Sequence, residues 1–121
     1  MSIIKTLGHA GLASMFISGG ASAFAEPGGR VQRVEAAGIP QPRQATILNG
    51  AIMTVAGTTL AFGIFPKLSA LALIGTLIPT TLVGHSFWAE ESEQARAMHL
   101  TQFYKNTAML GGLLMVLAEK D

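Results

Sequence analysis

The sequence predicts an all-α protein, a membrane-spanning four-helix bundle with a long polar loop between helices 1 and 2. Half of its 121 residues are hydrophobic and only 12% are charged, about half the charged share of an ordinary soluble domain, as expected for a chain solvated by lipid. Mean hydropathy is +0.45. Four long apolar segments recur, at about 3–24, 46–65, 68–87 and 103–118, each near the roughly 20 residues a helix needs to cross about 30 Å of hydrocarbon. Together they fill about two thirds of a single integral membrane domain, 1–121, and leave no length for a soluble catalytic domain.

The composition also excludes function classes. A net charge of +1 provides no basic excess to neutralise nucleic acid, so no nucleic-acid partner is expected. Without cysteine there is no disulfide, thiol nucleophile, iron–sulfur cluster, covalent haem or Cys-ligated zinc. The cofactor therefore stays unknown, with no covalent one.

The first segment carries Lys5 and ends in Gly19 to Pro27, "GGASAFAEP". A basic start, an apolar middle and Ala-x-Ala are the ingredients of an export signal; a first membrane span ending in small residues fits the same stretch. Residues 25–45 are polar and rich in turn formers. Within them "RVQRVEAAG" places Val31 and Val34 beside Arg30 and Arg33, which fits a short helix on the membrane surface and an ordered loop equally well.

Phe65-Pro66-Lys67 is a very short turn, so the second and third helices form an antiparallel hairpin. Small residues recur at four-residue spacing, Ser14, Ser18 and Ser22 in the first segment and Thr46, Gly50, Thr54 and Thr58 in the second; such faces let membrane helices approach closely. Pro79 interrupts the third segment and predicts a kink, with Thr80 or Thr81 available to the backbone group freed at Gly75.

The polar side chains gather near one membrane surface. His85 and Trp88 end the third helix while Lys105 and Asn106 open the fourth, and two helices joined by one loop bring these ends to the same side. Trp and Lys there serve any membrane protein as anchors. The functional reading is a pocket: His85, Lys105 and Asn106 offer hydrogen bonds and Trp88 an apolar wall to a quinone head group or a lipid phosphate. His9 reads as a helix-interface histidine. His99, near Glu90, Glu91 and Glu93, lacks the spacing of a helical metal motif, so no metal site is expected. No nucleophilic triad, phosphate loop or dinucleotide fingerprint is present, so no catalytic residue is assigned and catalysis by this chain alone is not expected.

From Gly38 onward, "GIPQP", then Gly57, Leu60 and Gly63, "GIFPKLSALAL", "GHSFW", "FYKN" and "LGGLL" follow in unbroken order, and "FISG" at Phe16 to Gly19 fits a first span. This order resembles the DoxX family of small four-helix bacterial membrane proteins. The resemblance implies that the first helix is retained, its small-residue end only mimicking an export site. It also implies the bacterial cytoplasmic (inner) membrane, several passes, and termini in the cytoplasm, although arginine and lysine counts taken literally place the long loops there instead. Because the family name is linked to quinone-reactive oxidases, it further implies an accessory or structural subunit of a larger membrane redox or energy-converting complex, with lipids and other membrane subunits as partners. The alternatives are a stand-alone quinone- or lipid-binding protein and a small carrier. The chain departs from many relatives in having Met53 for an acidic residue and Ser22 for a basic one, which removes the mid-membrane charges a proton relay or a carrier would use.

Overall fold

The computed structural model describes residues 2–120, and these are helical or looped, without strands. Helix α1 is Ile3–Ala25, α2 Gly28–Ala36, α3 Pro42–Ala61, α4 Pro66–Gly84 and α5 Glu93–Leu117, with a short 3-10 turn, Phe87–Ala89, before α5. Helix α1 lies along α3, α3 along α4 and α4 along α5; α2 crosses the ends of α3 and α4, and the seam between α5 and α1 is sparse.

Local chemistry explains the boundaries. The Ser2 hydroxyl accepts from the Lys5 amide and starts α1, as an N-cap side chain does. Helix α2 settles the ambiguity of residues 28–36 in favour of a helix, and none of its residues is buried. Helix α3 begins at Pro42, earlier than the apolar segment, because proline suits the first helical position. The α3–α4 connection is residues 62–65, where Gly63 takes φ 69°, so the expected hairpin forms with Pro66 opening α4. Helix α5 starts ten residues before the expected apolar segment because the Ser92 hydroxyl caps it, accepting from the Ala95 amide. Hydropathy marks where a helix is apolar; capping marks where it begins.

Helices α1 and α3 approach closely at two glycines. A Cβ built on Gly20 would lie 2.7 Å from the Gly50 carbonyl oxygen, and one on Gly50 would lie 2.7 Å from the Gly20 oxygen. On α3 the expected face is buried at Thr46 and Gly50, while Thr54 and Thr58 are half-buried and the buried face continues through Met53, Gly57 and Leu60. On α1 the expectation is corrected. Its buried face is His9, Ala13, Phe16, Gly20 and Ala23, a 3–4 repeat, whereas Ser14, Ser18 and Ser22 point outward.

The bonding expected around Pro79 also differs. Thr81 donates to the Leu77 carbonyl at 2.7 Å, and Thr80 accepts from Asn49, so neither serves Gly75. Both are recruited to tie helices together.

Phe16, Leu60, Leu73 and Leu113 are fully buried at the centre. Outside, Leu48, Val55, Leu68, Leu71, Met115 and other large hydrophobics are exposed, as suits a surface that meets lipid or another protein. By length and composition one segment, Pro66–Ala89, is able to cross a membrane, and only 28% of its most apolar window is buried, unlike the core helix of a soluble protein. The other long helices fall short of that criterion. Serines and glycines dilute α1, threonines and Arg43 dilute α3, and the first turns of α5 are polar.

Candidate functional site

The capped ends of α4 and α5, together with α2, enclose one side of a cavity of about 1070 Å³ that reaches into the bundle. Its apolar lining includes Phe16, Met53, Leu77 and Met109; Arg33, His85, Glu90, His99 and Lys105 line it toward the α2 side, with buried Asn106 between the two sets.

Arg33, on α2, is the hub of the polar end. Its Nη1 donates to the Gly84 carbonyl at 3.3 Å, one of the free carbonyls at the α4 C-terminus, where a cation is favoured by the helix dipole. Its Nη2 donates to His99 Nε2 at 3.2 Å and lies 3.5 Å from Glu90 Oε1. A guanidinium only donates, so His99 Nε2 is an acceptor and His99 carries its proton on Nδ1. That Nδ1–H donates to His85 Nδ1 at 3.2 Å. His85 then holds its own proton on Nε2, and the His85 Nε2–H has no partner among the described residues in this cavity-lining side chain.

Two asparagines brace the same region. Asn49 of α3 donates to Thr80 Oγ1 at 2.9 Å and Asn106 of α5 donates to Thr81 Oγ1 at 2.9 Å. Neighbouring threonines of α4 thus fix the helices on either side, close to Pro79, where the backbone ladder is interrupted. Asn49 also approaches the sulfur of the buried Met53 at 3.5 Å.

Of the four residues named from the sequence, His85, Lys105 and Asn106 line this one cavity. Trp88 is corrected: it is 56% exposed and stacks edge-on with Phe87 and Phe103 outside the cavity, because the 3-10 turn swings it away from the end of α4. Lys105 and Asn106 do not open the last helix but lie about three turns inside it, since α5 begins at Glu93. His99 does meet Glu90, at 3.5 Å, but as part of the Arg33 network. Among the described residues no three His, Asp or Glu side chains gather in a metal-binding arrangement.

At the opposite end His9 is buried, and the Glu119 carboxylate accepts from its Nε2 at 2.5 Å. The His9 Nδ1 atom is buried without a hydrogen-bond partner among the described residues. Lys5 adds a bond to the Lys120 carbonyl at 3.4 Å and lies 4.0 Å from Glu119. This group clasps α1 to the end of α5 and lines no part of the cavity.

Residues 5–86 match the DoxX family model. The chain belongs to the DoxX family. As a DoxX protein it is a membrane protein, in keeping with its apolar exterior. The match spans α1 to the end of α4, so "FYKN" and "LGGLL" in α5 lie beyond it. No curated protein and no solved structure matches this DoxX chain.

Proposed function

We propose that this DoxX protein holds an amphipathic ligand inside a multi-pass bundle whose four long helices, in a single domain, cross the bacterial inner membrane. The observation that carries the reading is the cavity's division into a polar mouth and an apolar interior. Hydrogen-bond donors concentrate at the mouth: the His85 Nε2–H, the Lys105 ammonium and the Arg33 guanidinium all face oxygen acceptors best, as a quinone or lipid head group offers. Helix α2, amphipathic and lying across the helix ends, suits the membrane interface, with Arg33 holding it over the mouth. The test is to purify the protein in mild detergent and identify retained small molecules by native mass spectrometry. A stoichiometric amphiphile is expected, released by Asn106→Leu together with Arg33→Ala; a protein free of any retained amphiphile would contradict the reading.

The accessory-subunit reading draws on a different surface. A second, shallow groove of about 440 Å³ between α3 and α4, lined by residues such as Ile52, Val55, Phe65 and Leu68, is almost wholly apolar, and suits a lipid chain or a helix of a larger redox or energy-converting complex. The mass of the particle extracted from the native membrane separates the two: a large stoichiometric complex favours the subunit role, a particle of this chain alone the stand-alone binder. The carrier reading gains no support, since the cavity's interior is lined by apolar side chains such as Phe16, Met53 and Leu77 and offers no charged path across the bilayer.

A further inference from the structure

The charges at the mouth narrow the ligand class. We propose that the cavity takes an anionic amphiphile, with a phosphate or carboxylate head set against Lys105 and Arg30 and an aliphatic chain directed toward Phe16 and Met53. This rests on the ligand-binding reading and specifies its ligand.

Three basic side chains, Arg30, Arg33 and Lys105, line the cavity against one carboxylate, Glu90. Glu90 is taken by Arg33 at 3.5 Å. Arg30 has only neutral partners, the Ser22 hydroxyl at 3.2 Å and the Glu26 backbone carbonyl at 3.2 Å. Lys105 makes no hydrogen bond or ion pair among the described residues, although it sits on α5 beside buried Asn106. Lys105 is half-buried on α5, and a cation there is costly unless an anion or water meets it; Arg30 is exposed on α2 and offers a further donor at the rim. A quinone carbonyl would supply an acceptor for the His85 Nε2–H yet leave the half-buried Lys105 charge uncompensated. An oxyacid head supplies acceptors and charge together. Free inorganic phosphate would satisfy the mouth and leave the apolar interior empty, so the chain is part of the recognition; the cavity's size is that of a site for a lipid-sized molecule.

The test uses the delipidated full-length protein in neutral detergent and measures binding of four probes by native mass spectrometry and titration: palmitate, phosphatidylglycerol, hexadecanol and a short-chain quinone. Palmitate or phosphatidylglycerol should bind at least tenfold more tightly than hexadecanol or the quinone, and which of the two is preferred identifies the acid as carboxylate or lipid phosphate. Lys105→Met should erase that preference while Lys105→Arg retains it, with the thermal midpoint of each variant recorded so that loss of fold is recognised separately. Inorganic phosphate alone should compete poorly. If hexadecanol or the quinone binds as tightly as the acids, or if the preference survives Lys105→Met, the anionic assignment is overturned while the amphiphile cavity stands. If no probe binds to a folded protein, the cavity reading falls and this assignment with it.

Discussion

The two ends of the bundle each set a histidine beside a glutamate, and they do so in opposite electrostatic circumstances. Where α1 begins and α5 ends, His9 Nε2 and the Glu119 carboxylate pair across a seam with little other packing, with Lys5 at its rim. At the far end His99 and Glu90 share Arg33, and Arg30 and Lys105 remain without a carboxylate around an open cavity. Charges in a low-dielectric interior are stable when balanced within the protein. The first end therefore reads as a clasp and the second as a receptor, whose balance is completed from outside.

The largest effect is expected where both ends are disturbed together. Gly50→Leu drives a side chain into the Gly20 backbone 2.7 Å away, and we expect a loss of about 3 kcal/mol or more, read as a lowered thermal midpoint with clasp and cavity lost in one transition. Next is the clasp itself. Glu119→Ala strands the buried His9 ring without its one partner among the described residues, costing about 2 kcal/mol, and should leave amphiphile retention intact. If retention falls as steeply as stability, the two ends are not separate devices.

Arg33→Ala acts on the other side of the comparison. It removes the bonds that fix α2 to Gly84 and His99; global stability should fall by only about 1 kcal/mol, while amide exchange across residues 28–36 accelerates and ligand retention drops. Unchanged exchange in α2 would show that Arg33 is not what holds it. Smallest is Lys5→Ala. Its ammonium is 4.0 Å from Glu119 and its side chain 38% exposed, so the midpoint should shift by an amount equivalent to less than about 0.5 kcal/mol, isolating His9 as the working half of the clasp.

Much of this architecture is legible in local patterns. The α3–α4 hairpin follows from Pro66 between two apolar runs, and the α3 packing face from Gly50 at four-residue spacing. His85, Lys105 and Asn106 share an end because a single connection joins α4 to α5. Other features were missed for identifiable reasons. The start of α5 is signalled by Ser92, which a hydropathy window ignores. Trp88 leaves the cavity because a 3-10 turn, not a continued helix, carries it. The serines of α1 mislead because four-residue spacing alone does not say which of several such stripes faces a neighbour; Gly20, one stripe over, is the one that does.

Composition and periodicity act over a few residues, and they suffice to make this chain helical, apolar outside and hinged at its prolines. They are silent on Arg33 reaching His99 over 66 positions, or His9 reaching Glu119 over 110. Those pairings arise from how α1 crosses α3 at two glycines and how α2 folds back over the helix ends. Whether a buried charge is balanced or left for a ligand depends on which side chains that crossing brings within a few ångströms, and such proximity is a property of the assembled bundle.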